Sequence, residues 1–176
     1  MTKVGYNTDY QTLGEKGSFN AIGPSNATIA ASPLAYYKFY SGDGGMRVPL
    51  IISGPGVTAQ GTLSSALTWV TDVTPTILGF AGVRDHGGTF ADKAVEPIIG
   101  KDLGSLTSGT ATAVRRSDEI IGYELGGNRA LLKGDHKITF NRSPRGDGTW
   151  HLFNIATDPG EAHDLGEMHP ELLAAM

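Results

Sequence analysis

The sequence predicts an α/β chain with two textures. Residues 1–117 carry one buried strand and one helix among long loops, and residues 118–176 carry a small antiparallel sheet closed by a helix. Three observations predict this. Val48-Pro49-Leu50-Ile51-Ile52-Ser53 is a continuous apolar run stopped by Gly54-Pro55-Gly56, the pattern of a strand covered on both faces. Thr71-Asp72-Val73-Thr74-Pro75 opens an apolar stretch that ends at Gly82, with residues able to cap, a proline in the first turn and a glycine stop. After Asp118, four short β-like runs are separated by turn residues, as in an antiparallel meander.

The elements follow in order. Residues 1–32 are small, polar and without period, and read as a long surface loop with a turn at Gly23-Pro24-Ser25-Asn26. A loop of about 30 residues is uncommon inside a compact domain, so it is functional or the chain begins within something larger. Residues 33–40 are apolar around Lys38, and Ser41-Gly42-Asp43-Gly44-Gly45 is a turn cluster. Pro49 suits the start of the strand at 48–53, because proline cannot donate to a ladder. The helix follows, and Thr71 or Asp72 is its expected cap. Residues 84–117 read mostly as loop, with Ile98-Ile99-Gly100 as a brief extended piece. The four β-like runs are 119–125, 129–133, 137–141 and 150–155, and residues 167–176 begin a last helix with Pro170 near its first turn. A strand covered on both faces needs parallel neighbours, and the sequence offers few candidates. It behaves like the tail of a larger α/β protein.

Composition narrows the function. The 176 residues hold 14 Lys+Arg against 18 Asp+Glu, a net charge of −4, with no basic stripe. That argues against a nucleic-acid partner. Cysteine is absent, which removes disulfides, thiolate zinc sites and cysteine nucleophiles. It leaves the compartment, cytoplasmic or periplasmic, open. No window approaches the ~18 apolar residues of a membrane span, and residues 1–6 lack the apolar middle region of a signal peptide. Glycine, at 25 residues, is about twice as frequent as the usual ~7%, as expected of a loop-rich chain.

Several segments resemble the sulfatase family, arylsulfatases of the bacterial type most closely. Residues 37–52, Tyr37-Lys38 through Gly44-Gly45-Met46-Arg47-Val48-Pro49, resemble its Y-K-x5-G-G-x-R-V-P signature. Asp72-Val73-Thr74-Pro75-Thr76-Ile77-Leu78, with Ala81-Gly82-Val83 after it, resembles its next helix. Gly100-Lys101-Asp102-Leu103 resembles a G-x-S-L piece, with Asp102 where serine is usual. Arg129-Ala130 with Gly134-Asp135-His136-Lys137 resembles an R-A-x-x-x-G-D-x-K hairpin. Leu152-Phe153, Asp158-Pro159-Gly160-Glu161 and Asp164-Leu165 resemble the L-[YF]-x-[IL]-x-x-D-P-x-E-x-x-[DN]-L ending. The matches occur in family order over about residues 20–176 and cover only a C-terminal portion.

The resemblance implies an alkaline phosphatase-like sulfatase fold, represented here by an edge piece of the central sheet, the four-stranded antiparallel sheet and the last helix. Residues 1–117 would be the remainder of the catalytic α/β domain, and residues 118–176 a small C-terminal subdomain. It implies sulfate ester hydrolysis in the complete enzyme, with a small-molecule sulfate ester as substrate. It also implies a formylglycine nucleophile and calcium or a similar divalent metal. The chain has no cysteine, no Ser-x-Pro-x-Arg and no Asp-Asn-Gly, so no cofactor or metal residue is assigned within it and no activity is expected of it alone. The alternative is a stand-alone, non-catalytic, self-associating module derived from a sulfatase.

One residue matches an active-site position of the family: Lys38, whose equivalent contacts the sulfate group near the leaving oxygen. An ammonium at the rim of a dry site supplies a point charge and three donors. The bland reading is a lysine stem along aromatic surface with its head in water. Asp85-His86-Gly87-Gly88 looks like a metal or acid–base pair but reads as a turn with a surface histidine. His136, His151, His163 and His169 show no ligand spacing and read as surface or sheet residues. Asp158-Pro159-Gly160-Glu161 resembles a calcium-type acid cluster but reads as a turn that pins the loop between the last strand and the last helix. Arg47 is expected to pair with a carboxylate in a structural role. Gly44-Gly45 lacks the G-x4-G-K-[ST] of a phosphate loop. Finally, the apolar strand and helix lack neighbours in the sequence, so a homo-oligomer is expected through exposed apolar surface.

Overall fold

The computed structural model describes residues 5–83 and 87–176. The chain forms two compact units, one from Met1–Val48 with Ile120–Met176 and one from Pro49–Glu119.

The first unit is organised by a four-stranded antiparallel sheet. The strands β3 (Ile120–Leu125), β4 (Asn128–Lys133), β5 (His136–Phe140) and β6 (Trp150–Asn154) lie side by side in chain order, as the sequence predicts. The strands β1 (Thr89–Phe90) and β2 (Lys93–Ala94) belong to the second unit. The first hairpin turns through Gly126 and Gly127, with φ of 61° and 86°, and pairs Leu125 with Asn128. Positive φ at both central residues gives the loop a twist that matches the strands it joins. Lys133 pairs with His136 across the second tight turn, and Lys137 with Phe153 on the outer pair. Ala130 and Leu132 of β4, Ile138 of β5 and Leu152 and Phe153 of β6 make most of the buried apolar core. The last helix, α5 (Pro170–Ala175), contacts β6.

The N-terminal part of this unit corrects the expected long loop. Tyr10–Thr12 form a 3-10 turn capped by the Asp9 carboxylate, and α1 spans Gly23–Ala31. Pro24 sits in the first turn of α1, where it presets the helical φ. Asn26 and Thr28 donate from their side chains to the Ile22 and Pro24 carbonyls, at 2.9 and 3.0 Å. The helix has no apolar stripe, and this is why periodicity does not reveal it. The turn cluster at 41–45 is in fact one helical turn, α2 (Asp43–Met46).

In the second unit, α3 (Val73–Phe80) forms where the sequence places it and stops at Gly82, whose φ is 64°. Asp72 does not cap it. A 3-10 turn, Val70–Asp72, leads into the helix, and the fully buried Asp72 carboxylate serves other partners. It accepts N–H groups from Trp69 and Lys101, at 2.6 and 2.8 Å, and a two-pronged contact from Arg115, at 2.6 and 2.7 Å. Burial alone would raise the Asp72 carboxyl. The Arg115 guanidinium and the two backbone donors outweigh it and hold the group below the usual range. Thr76 Oγ1 donates to the Asp72 carbonyl and accepts from Leu103 N–H, at 2.6 and 2.9 Å. The unit is completed by the hairpin β1 (Thr89–Phe90) with β2 (Lys93–Ala94), and by α4 (Gly104–Thr107).

Two expected elements are not formed. Residues 48–53 and 98–100 belong to no strand. Val48 is 79% exposed and Ile51 90%. A strand exists only against another backbone, and among the described residues none pairs with this run. No described helix is long and apolar enough to cross a membrane.

Candidate functional site

Lys38 lies on an irregular segment ahead of α2, flanked by two aromatic residues with left-handed backbones: Tyr36 at φ 64° and Phe39 at φ 86°. Such conformations cost about 1–3 kcal/mol each and persist only where the surroundings over-determine them. The surroundings do so through polar bolts. Ser41 is fully buried, and its N–H and hydroxyl both donate to Asn141 Oδ1, at 2.8 and 2.9 Å. Asn128 Nδ2 donates to the Phe39 carbonyl, and Asn128 Oδ1 accepts the Arg142 N–H, both at 2.8 Å. The ring of Tyr40 packs against those of Tyr36 and Tyr37, with centroids 5.3 Å apart in each pair. Lys38 itself is exposed, and its ammonium lies 5.7 Å from the Phe39 ring centroid. Among the described residues no carboxylate pairs with it. The stem rests near aromatic surface with its head in water, which leaves the cation open to an anion.

Behind this segment stands an ionic cluster that the sequence reading missed. Lys137 of β5 is completely buried, and its Nζ lies 2.6 Å from Asp43 Oδ1 and 2.8 Å from Glu161 Oε1. Glu161 Oε2 accepts the Asp43 N–H at 2.8 Å. Burial pushes the Glu161 carboxyl above its usual range, against the pull of Lys137. Arg47 adds a longer contact to Asp43 Oδ2, at 3.8 Å, so it does pair with a carboxylate. Gly44 and Gly45 are required here by space. A Cβ on Gly44 would sit 2.3 Å from the Tyr36 carbonyl oxygen, and one on Gly45 2.2 Å from that of Tyr40. Asp43 lies 94 positions from Lys137 and 118 from Glu161, so no local spacing could have announced the cluster. Alternation along β5 would have put Lys137 on the face opposite Ile138 and Phe140, and its burial follows only from the fold, where it pairs with the buried Leu132 and Phe153.

The histidines separate. His136 and His151 lie in the sheet, while His163 is exposed and His169 precedes α5. His151 is more than a sheet residue. Its Nδ1 lies 2.6 Å from Asp164 Oδ2, and its Nε2 lies 3.1 Å from the Asp147 carboxylate and from Thr149 Oγ1. Burial lowers its pKa, but the two carboxylates more than offset that and raise it above the ordinary histidine value. Asp85 and His86 lie outside the described residues.

No family model matches the chain. It is 30% identical over 169 residues to an uncharacterized sulfatase of Schizosaccharomyces pombe, covering 96% of this chain and 30% of that protein. It is 38% identical over 103 residues to an arylsulfatase of Klebsiella aerogenes, covering 58% of this chain and 22% of that protein. These matches support a sulfatase family relationship. The chain spans about a third or less of the length of these curated relatives, and what it matches is a C-terminal portion. The crystal structure of Ps i-CgsB in complex with k-i-k-neocarrahexaose shares the fold. Its TM-score is 0.62 at 24% identity, over 92% of this chain and 31% of that one.

Three of the sulfatase-like segments, far apart in sequence, thus meet in one place. The Y-K-x5-G-G stretch supplies Asp43, the hairpin supplies Lys137, and the D-P-x-E turn supplies Glu161. The D-P-x-E turn does more than close a loop, because Glu161 ties it to both α2 and β5. No cysteine is present to become formylglycine, and no group of three or more His, Asp or Glu among the described residues could hold a metal ion.

Proposed function

We propose that this chain is the C-terminal portion of an arylsulfatase-like sulfuric ester hydrolase, in which Lys38 contacts the sulfate group of a small sulfate ester. The observation that carries this reading is the 30% identity to a sulfatase over 96% of the chain. A backbone held in a costly conformation around an exposed cation, with no carboxylate partner among the described residues, supports the role of Lys38. Hydrolysis breaks the ester S–O bond, adds water's oxygen to sulfur and returns a proton to the departing alcohol. Negative charge grows on the bridging oxygen as that bond breaks, and a placed ammonium stabilises it. The nucleophile and a divalent metal such as calcium would come from a part of the enzyme outside this chain. In this reading residues 1–117 complete the catalytic α/β domain and residues 118–176 form a small subdomain.

The chain alone is inactive in this reading, and it self-associates. Val48, Ile51, Val70, Ile77 and Ile99 stand in water, and burying each such side chain is worth about 1.5–3 kcal/mol. In the complete enzyme the missing portion would cover them; in the isolated chain a second copy does.

The purified chain is assayed for hydrolysis of 4-nitrophenyl sulfate with added calcium, and by sedimentation. No turnover and a concentration-dependent dimer are expected. Metal-dependent turnover would overturn the assignment of the nucleophile to a missing portion, and a clean monomer at high concentration would overturn self-association. The reading frame upstream of Met1 separates the enzyme from the stand-alone module. An in-frame C-x-P-x-R supports the enzyme, and its absence supports the module.

A further inference from the structure

A second cation stands against the Lys38 segment. The Arg145 guanidinium carbon lies 5.7 Å from the ring centroid of Tyr37, the residue next to Lys38. Arg145 is exposed, and among the described residues no carboxylate pairs with it. Its charged neighbours are committed elsewhere. Asp147 is held by His151 and by the Thr149 N–H, at 3.1 and 3.0 Å, and the Arg142 guanidinium donates to the Gly126 carbonyl at 3.2 Å.

The two loops are joined through one buried residue. The Asn141 side chain holds Ser41, and its main-chain carbonyl accepts the Gly148 N–H at 3.0 Å. The Gly146 N–H donates to the Arg142 carbonyl, also at 3.0 Å, closing the loop that carries Arg145. The segments that carry Lys38 and Arg145 are therefore both tied to Asn141. A guanidinium stacked on an aromatic face keeps its N–H fork free for a carboxylate or sulfate, which it can bind in a two-pronged way.

We propose that Arg145, whose guanidinium lies over the Tyr37 ring, is a second anion subsite next to the segment that carries Lys38, so that the preferred substrate is a sulfate ester carrying a further anionic group. This rests on Lys38 as the sulfate contact. The further group is a carboxylate or a second sulfate, which share the oxyanion chemistry the fork recognises.

The test is NMR titration of the full ¹⁵N-labelled chain, whose spectrum also reports folding. The probes are phenyl sulfate, 4-carboxyphenyl sulfate, its neutral amide counterpart 4-carbamoylphenyl sulfate, and hydroquinone disulfate. The wild type is expected to bind the carboxylate or the disulfate probe about fivefold more tightly than phenyl or carbamoylphenyl sulfate, the scale of a partly exposed charge-assisted hydrogen bond. Whichever of the two binds tighter identifies the group. Arg145→Ala should abolish the preference without weakening phenyl sulfate, and Arg145→Lys should keep part of it. Lys133→Ala, which removes a charge elsewhere, should change nothing. A wild type without the preference, or an Arg145→Ala variant that retains it, overturns the subsite alone. Binding of none of the probes overturns the subsite as a property of this chain's own residues, and phenyl sulfate binding unaffected by Lys38→Ala overturns the Lys38 reading and the subsite with it.

Discussion

The two units of this chain are stabilised by different means. The unit built on β3 to β6 closes its own hydrogen bonds strand by strand and buries Ala130, Leu132, Ile138, Leu152 and Phe153. Among the described residues of the unit Pro49–Glu119, one apolar side chain is buried, Leu103. This unit is organised around a carboxylate, with Asp72 gathering the N–H groups of Trp69 and Lys101 and the guanidinium of Arg115. Both units contain a buried ion pair, but with different dependence on it. Lys137 adds to an existing apolar core, whereas Asp72 largely substitutes for one. A polar hub fixes geometry, because each donor has one place to go. It contributes little net stability, because desolvating the charges offsets most of the attraction.

The comparison can be broken most directly at Lys137. Lys137→Met leaves the Asp43 and Glu161 carboxylates buried without their cation. Removing one partner of a buried pair typically costs about 3–5 kcal/mol. Urea unfolding monitored at the sheet should show a loss of that order, together with loosening of residues 36–43. A loss below ~1 kcal/mol would mean that the cluster is not what holds that segment.

Asp72→Asn tests the other unit. Arg115 is nearly as buried as its partner, so a cost of about 3 kcal/mol is expected locally. Hydrogen exchange should accelerate at the Trp69 and Lys101 amides while the β4 and β5 amides keep their protection. Equal acceleration in both regions would show that the two units unfold together.

A smaller effect is expected with pH at His151. Its folded pKa lies above the ordinary ~6.5, so its contribution is complete below that value and fades as pH rises through the raised one. Asp147 and Asp164 are held below the usual carboxylate range by His151 and by backbone N–H groups, although burial opposes this for Asp164. Their contribution is present above about pH 4 and fades as pH falls. The cluster therefore stabilises most between about pH 4 and 6.5. Asp164→Asn should lower the His151 pKa by NMR and flatten the alkaline side of a melting-temperature profile. The cost should be up to ~1 kcal/mol, since these groups are partly solvated. An unchanged pKa would remove Asp164 as the cause.

Lys38→Ala should have the smallest effect on stability, within ~0.5 kcal/mol, because the side chain is exposed and its ammonium lies over the Phe39 ring. A larger loss would make Lys38 a structural residue rather than a presented cation.

The amino-acid sequence by itself determined the elements whose partners lie next to them in the chain. The four strands, their tight turns and α3 with its stop at Gly82 are legible because each hairpin supplies its own hydrogen-bond partner and each helix its own ladder. Lys38 was legible as a candidate only through the resemblance of the segment around it to the sulfatase signature. Tertiary structure alone decided the rest. Residues 48–53 have the composition of a buried strand, but among the described residues no backbone pairs with them, so they form no strand and Val48, Leu50 and Ile51 stay exposed. Asp72 looks like a helix cap but is drawn to Arg115, 43 positions away. Asp43, Lys137 and Glu161 carry no local signal of a shared site. A buried charge is tolerated only where opposite charges arrive from elsewhere in the fold, and that meeting depends on three-dimensional distance rather than on position along the chain.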